Sequence, residues 1–580
     1  MSTPIHVSVA WPYANGDLHL GHVAGALLPA DIFARYHRLK GNRVLMVSGS
    51  DAHGTPTSLE AARRGISPRE LFEHYHRRFL ETQLALGISH DLFTHTDTEN
   101  HHHIAQAFFC RLHDSGYLYR QWQTQLYAEQ EARFLPDRYV EGTCPHCGFS
   151  AARGDQCDQC TAQLEATELI APRSTIDGSS PVPRQTEHWF FDLPAFTDRL
   201  LNYLDQHAHH WRPSVVNFAR NFIRNGLQGR PITRDLDWGV AVPLTGWEHH
   251  DKCLYVWFEA LIGYVSASIE WAQNTDQPDA WKLWWHDPHA RIYNFLGKDN
   301  IPFHTIIWPA QLLGVDHLDD SSTPLNLPFD IPANALLTFE QAQFSKSRGH
   351  AVWLHDLLEQ YDPDVIRYYV ASVLPEYDDS DFSWSEFIRR TNDELIAAWG
   401  NLVHRVLTFV VKHWDGKTPK PGVLSPLDQA LMDQIAAGFA NVGEHLEAVQ
   451  LRAALREAMG LVRAVNAYLT QAPWFSVIRD DKAIAATTVF TALRAIDSLK
   501  VLLAPFLPFS AERVHQALGY TTPLFGSQRI ATYPEMKRSH DVLVYDAALA
   551  SGAWRPSALV PDQRITWSRP LYTRLEAVEV

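Results

Sequence analysis

Residues 5–22 read Ile5-His6-Val7-Ser8-Val9-Ala10-Trp11-Pro12-Tyr13-Ala14-Asn15-Gly16-Asp17-Leu18-His19-Leu20-Gly21-His22. The first six have the pattern of a buried strand, a Pro and a Gly stop it, and an Ala- and Leu-rich helical pattern runs from about His22 to His37. A second strand, Val44-Leu45-Met46-Val47, ends in Ser48-Gly49-Ser50-Asp51-Ala52-His53-Gly54. Strand, glycine loop and helix recur at Ile292 to Phe295, Gly297-Lys298-Asp299 and Ile301 onward. This alternation predicts an α/β fold with a doubly wound parallel sheet, whose ligand lies at the carboxyl ends of the strands.

Neither common phosphate fingerprint is present. No G-x-G-x-x-G follows the first strand, and Gly416-Lys417-Thr418 has Val411 where a P-loop needs its first glycine. Two other signatures stand out. His19 and His22 project at a helix N-terminus, where free N–H groups and the helix dipole favour phosphate. Phe344-Ser345-Lys346-Ser347 sets a lysine between two serines, which suits clamping a departing polyphosphate in the transition state. Together they point to an enzyme that activates a carboxylate with ATP.

The rest of the chain bounds that reading. At 580 residues it is long enough for three or four units, and its 46% hydrophobic and 20% charged residues are those of a globular protein. A formal net charge of -16 argues against a sequence-blind nucleic-acid binder but leaves room for a local basic face. Met1 to Ala10 lacks the features of a signal peptide, and the longest apolar candidate, Val501 to Phe509, is broken by Pro505 and Pro508. A cytoplasmic protein with no membrane partner is expected.

Four of six cysteines form Cys144-Pro-His-Cys147 and Cys157-Asp-Gln-Cys160, a pattern that wraps a tetrahedral zinc through two turns; a disulfide pair is the alternative. Four thiolates leave no open position, so such a metal holds a fold. Cys110 and Cys253 read as core residues. His101-His102-His103 cannot converge on one ion, because consecutive helical residues point in different directions, and no ligand role is expected of the run. The expected divisions are a catalytic first half (1–115), a knuckle-bearing insertion (116–225), a catalytic second half (226–330), a linker with the second signature (331–383), an all-α helical bundle (384–536) and a strand-poor tail packing back on the body (537–580).

Across nearly its whole length the chain resembles the methionyl-tRNA synthetase family of class I. The carriers are Pro12-Tyr13-Ala14-Asn15-Gly16 with His19-Leu20-Gly21-His22, Asp51-Ala52-His53-Gly54-Thr55-Pro56, Tyr255-Val256-Trp257 through Tyr264, Gly297-Lys298-Asp299, Phe303-His304 with Trp308-Pro309-Ala310, and Ser345-Lys346-Ser347-Arg348-Gly349. The resemblance implies a Rossmann-type catalytic domain and an anticodon-binding bundle. It makes His19, His22 and Lys346 catalytic, and gives Gly21, Gly297, Lys298, Asp299, Ser345 and Ser347 to ATP. Trp11, Tyr13, Asp51, Arg234, Trp257, Ala260, Tyr264 and His304 fall to methionine, with Asp51 meeting the α-amino group. Asn401, Arg405 and Trp474 fall to the anticodon.

An aromatic slot with a few donors is what an uncharged, polarizable thioether needs. An amide, a cation and a flat ring suit unpaired bases. The implied partners are L-methionine, ATP and tRNA(Met), with Mg²⁺ accompanying ATP and one structural Zn²⁺; a monomer is expected. The alternatives are another class I specificity, or a paralogue that binds tRNA without catalysis. The chain departs from the family at Gln343-Phe344, where Lys-Met is usual, at Trp11, where a smaller apolar residue is common, and at Leu261, where Pro is frequent.

Overall fold

The computed structural model of the chain describes residues 2–154, 157, 159–160, 162, 164–247, 252–318, 323–343 and 351–576. Strand β1 (Pro4–Val9) is buried at every position, with Ile5, Val7 and Val9 toward one layer and polar residues toward the other. Those polar residues are satisfied: His6 Nε2 lies 2.9 Å from Ser268 Oγ and His6 Nδ1 lies 3.0 Å from Ser8 Oγ. Helix Leu20–His22, the π-helical turn Val23–Leu27 and helix Leu28–Leu39 continue as one rod, α1.

The chain then gives β2 (Arg43–Ser50), α2 (Pro68–Leu86), β3 (Leu92–His95), α3 (Glu99–Asp114), β4 (Leu118–Ala128), β5 (Val182–Phe191), α4 (Val256–Gln273), β6 (Arg291–Gly297) and β7 (Ala333–Asn334). Helices α5 (Asn401–His413), α6 (Pro426–Glu447), α7 (Leu451–Gln471) and α8 (Lys482–Leu503) follow, and then β8 (Ser527–Pro534) and β9 (Ser539–Asp546). The central sheet runs β7-β6-β1-β2-β3-β9-β8. Its first five strands are parallel, with Val7 opposite both Met46 and Tyr293. β4 and β5 form a long antiparallel pair, and the cysteine knuckle lies in the chain between them.

Two expectations require correction. The stretch to 536 is not wholly helical and the tail is not strand-poor, because β8 and β9 form a hairpin that joins the sheet antiparallel to β3, with Leu543 opposite Phe93. Val542, Leu543 and Val544 are buried and cover the open edge of β3, whereas β8 is polar and half exposed and so shows no apolar strand pattern. The second is the longest apolar stretch, which is not Val501 to Phe509. Trp384–His413 is a continuous helical stretch long and apolar enough to cross a bilayer by length and composition, yet half of its window is buried inside the fold. Trp399, Leu402, Val406 and Val410 face the core while Asn401, Arg405 and Lys412 are exposed, the pattern of a bundle helix.

A buried ion pair ties the sheet side to the bundle. Asp31 on α1 accepts from Arg35 Nε (2.9 Å) and Arg367 Nη2 (2.6 Å), and Arg367 also donates to the carbonyls of Pro505 and Phe506. Burial pushes the Asp31 carboxyl up, but Arg35 and Arg367 outweigh it and hold it well below the usual carboxylate range.

Candidate active site

β1 ends where the sheet order reverses, between β2 and β6, so its carboxyl end opens a crevice. His19 caps the helix beginning at Leu20: its Nδ1 accepts the Gly21 N–H at 3.1 Å, and His22 Nδ1 accepts the His19 N–H at 3.1 Å. Because both Nδ1 atoms accept, each neutral ring carries its proton on Nε2. The sequence thus builds two imidazole N–H donors into a helix start, with ring centroids 3.9 Å apart. Beside them is a cavity of about 300 Å³ lined by Gly21, Gly25, Gly297, Asp299, Asn300 and Leu337 among others. A Cβ on Gly25 or Gly297 would meet no atom within 4 Å, so the backbone there leaves room for a ligand. Lys298 pairs with Asp379 at 2.7 Å.

Phe344, Ser345, Lys346 and Ser347 lie outside the described residues. The segment after them is placed: the Leu20 N–H donates to Val352 O at 3.2 Å and the Leu354 N–H to Leu18 O at 2.9 Å. The second signature is therefore followed by residues bonded directly to the first.

The aromatic residues converge on the same crevice. Asp51 and Tyr13 form a parallel bridge, with the Asp51 N–H donating to Pro12 O at 2.8 Å. Trp257, in the first turn of α4, donates its indole N–H to the Tyr13 hydroxyl and meets Phe303 edge-on at 4.7 Å. Ala260 and Tyr264 follow three and seven residues later on that helix face. The Tyr264 hydroxyl lies 2.7 Å from His304 Nε2. Burial holds His304 at about 4, so the ring is neutral near pH 7; its Nδ1–H donates to Asn300 O, and Tyr264 therefore donates to Nε2.

Trp11 closes the floor. Its ring is wedged between Gly49 and Gly263, where an added Cβ would lie 2.0 and 2.6 Å from it, and stands 6.4 Å from the Tyr264 ring. Arg234 lies one layer out, stacked on Tyr255 at 3.7 Å and donating to the carbonyls of Pro231 and Thr233. It lines a second cavity, of about 340 Å³, that Trp257 and Phe303 also line.

Behind the pocket lies a buried charge network. Glu259 on α4 accepts from His53 Nδ1 (2.8 Å) and His101 Nε2 (2.5 Å). Burial raises the Glu259 carboxyl, yet His53 and His101 bring it to about 2; burial lowers His53, yet Glu259 and Asp97 push it up to about 10. Asp51 accepts the His53 backbone N–H at 3.3 Å, and burial followed by the nearby Glu259 carboxylate pushes its carboxyl well above the usual range. A ligand ammonium arriving at Asp51 would favour the ionised form that burial opposes.

The four knuckle sulfurs lie within 4.8 Å of one another, with Cys144–Cys160 at 3.8 Å and Cys147–Cys157 at 3.6 Å. No disulfide joins them, and thiolates about 2.3 Å from a tetrahedral ion stand about 3.8 Å apart. On the bundle, Asn401 and Arg405 are exposed one turn apart on α5, and Arg405 donates to Asn466 Oδ1 at 3.1 Å. Trp474 is only 8% exposed, with its indole N–H donating to Leu469 O and its ring on Phe409; neighbouring Phe475 is 72% exposed.

Residues 5–407 match the family model described as tRNA synthetases class I (M). The chain belongs to this family. Residues 418–550 match the anticodon binding domain of methionyl tRNA ligase. Among relatives, the methionine–tRNA ligase of Thermomicrobium roseum is 57% identical, covering 99% of this chain and 97% of its own length. That of Chloroflexus aurantiacus is 48% identical over the same shares. A solved structure of Mycobacterium tuberculosis methionyl-tRNA synthetase in complex with methionyl-adenylate aligns with TM-score 0.76 at 25% identity, covering 99% of this chain and 100% of that one.

What sequence reading missed in this class I synthetase is the layer behind the pocket. Glu259 and its partners His53 and His101 come from separate elements and meet only after folding. The available signal was two carboxylates, Glu259 and Glu270, inside a mostly apolar helix, Val256–Gln273.

Proposed function

We propose that this chain joins L-methionine to tRNA(Met) in two steps. The observation that carries the reading is the set of Tyr13, Trp257, Tyr264 and His304, with Tyr13 bridged to Asp51, beside the self-capped His19–His22 pair at the reversal of the sheet. In the first step the methionine carboxylate attacks the α-phosphorus of ATP and pyrophosphate leaves. The imidazole N–H groups of His19 and His22 meet the phosphates, and Lys346 attends the leaving pyrophosphate. Asp51 receives the ammonium, while the Tyr264–His304 hydrogen bond fixes the ring that faces the thioether. In the second step a ribose hydroxyl at the tRNA 3′ end attacks the activated carbonyl and AMP leaves.

ATP is expected with Mg²⁺, which shields its phosphate charge. Cys144, Cys147, Cys157 and Cys160 would hold one structural Zn²⁺, as their sulfur spacing suits. Gly21, Gly297, Lys298, Asp299, Ser345 and Ser347 are assigned to ATP, Trp11, Ala260 and Arg234 to the methionine side, and Asn401, Arg405 and Trp474 to the anticodon. The divisions at 115, 225, 330 and 383 and a cytoplasmic location belong to the same proposal and rest on the sequence pattern, whereas a monomeric state rests on family resemblance.

ATP–pyrophosphate exchange with each amino acid tests the reading. Exchange with methionine is expected; exchange only with another amino acid would move the specificity, and none would overturn the reading. Lys346→Ala should slow adenylate formation far more than it weakens methionine binding, and equal losses would contradict its role.

A further inference from the structure

The histidine run at 101–103 is not absorbed by the reading above. His101 turns to Glu259 and Ser266, but His102 joins residues from two other elements. His53 arrives from the end of β2 and Asp97 from the turn after β3. His53 Nε2 lies 3.7 Å and His102 Nε2 lies 3.5 Å from the same atom, Asp97 Oδ1, and all three ligand atoms lie within 4.8 Å of one another. These separations are too long for good hydrogen bonds. Both nitrogens are buried without a hydrogen-bond partner, and His53 is 1% exposed. Orphaned buried polar atoms of this kind are rare and call for an explanation.

We propose that His53, Asp97 and His102 bind one divalent transition cation of the zinc type, at a site separate from the four-cysteine cluster. Two ligands about 2.1 Å from a tetrahedral ion stand about 3.4 Å apart, close to the spacing found here. Two imidazoles and a carboxylate suit a borderline cation, not the harder Mg²⁺ or Ca²⁺. The outer layer is also built: His53 Nδ1 is fixed on the buried Glu259 carboxylate, the support that metal-binding imidazoles ordinarily have.

Asp97 divides its oxygens. Arg69 (2.7 Å) and Arg538 hold Oδ2, and Arg69 reaches Oδ1 only at 3.5 Å, so Oδ1 is turned to the imidazoles. An ion there would sit among His53 Nε2, His102 Nε2 and Asp97 Oδ1. Bound, it would tie the loop carrying Asp51 to α3 and to the turn after β3.

The test is metal stoichiometry on the full-length protein with its four-cysteine cluster loaded. Under chelator-buffered Zn²⁺, wild type should hold one more equivalent than His102→Ala or His102→Gln. His102 has a side chain 31% exposed on a helix, and circular dichroism would show that both variants keep the fold. Cobalt(II) in place of zinc gives a readout that needs no variant: a second equivalent should add visible d–d bands without thiolate-to-metal charge transfer. Equal stoichiometry in the three proteins, or cobalt confined to the thiolate spectrum in wild type, would overturn the proposal.

Discussion

The catalytic body and the helical bundle bury different chemistry. The body encloses Asp31, Asp51, Glu259 and a series of histidines, and Asp31 and Glu259 draw their partners from distant elements. The core of the bundle is Leu402, Val406, Ile435, Val462 and Leu493, with few exceptions such as the Asp497–Lys500 pair, and it presents Asn401, Arg405 and Phe475 outward. The difference teaches where each half needs water. Carboxylate activation gains from desolvated, pre-oriented charge, whereas reading an unpaired RNA loop needs side chains that meet bases at the surface.

The largest effect that would break this comparison is acid. Burial lowers His6, His37 and His90 to about 3 and His76 and His304 to about 4, against 6.5 for the unperturbed ring. A lowered histidine contributes its full stability above 6.5 and loses it as pH falls toward the folded value, because the unfolded chain takes up the proton first. Each such residue is worth about 1.4 kcal/mol per pH unit in that window. The five lie before residue 305, and His515, at about 4, is the comparable group beyond residue 400. Hydrogen exchange at pH 5 should therefore show protection lost across β1, β2 and β6 before α5 to α8. Simultaneous loss would remove the asymmetry.

Next come two deletions of similar size and different consequence. Glu259→Ala leaves His53 and His101 without their shared buried carboxylate and should cost about 3–5 kcal/mol in denaturant unfolding, along with methionine activation. Trp474→Ala empties a packed site against Phe409 and should also cost about 3–5 kcal/mol. Methionine-dependent exchange in its surviving folded fraction should stay at the wild-type rate. Loss of exchange in both would mean that the halves are not separable.

A smaller effect tests how the pocket floor is fitted. Gly263→Ala drives a methyl into the Trp11 ring and should cost about 1–3 kcal/mol. Trp11→Leu in the same chain should recover most of that loss, giving a coupling energy in a double-mutant cycle. Strict additivity would show that Trp11 moves freely and does not set the floor.

These contrasts also explain what could be read in advance. β1, β2 and β6 are short runs rich in Val, Ile, Leu and aromatic residues, ended by loops with proline or glycine, and the knuckle is a local spacing, so both announce themselves within a few residues. The β8–β9 hairpin does not, because its buried residues are only His540, Val542, Leu543 and Val544, and the reason for the apolar three is the open edge of β3, some 450 residues earlier. His53, Glu259 and His101 are likewise unremarkable in line and become a unit only across 206 and 158 residues of separation. Trp474 and Phe475 are adjacent, and nothing in the order of the two rings tells which one turns inward.

That last pair supplies the smallest and sharpest test of the comparison. The Phe475 ring is 72% exposed beside buried Trp474 and within 5.9 Å of Phe409, on the helix that carries Arg405. If the bundle works through its surface, the exposed ring is the one on which a base can stack. Removing an exposed ring costs the fold almost nothing, so Phe475→Ala should unfold within about 0.5 kcal/mol of wild type. Base–aromatic stacking is worth about 1–3 kcal/mol, and a ring held from one side belongs at the low end, so KM for tRNA should rise about five-fold with exchange unchanged. Phe475→Tyr keeps the stacking face and should restore charging. An unchanged KM in Phe475→Ala would return the stacking role to the edge of Trp474 and make the bundle a buried reader after all, like the body it was set against.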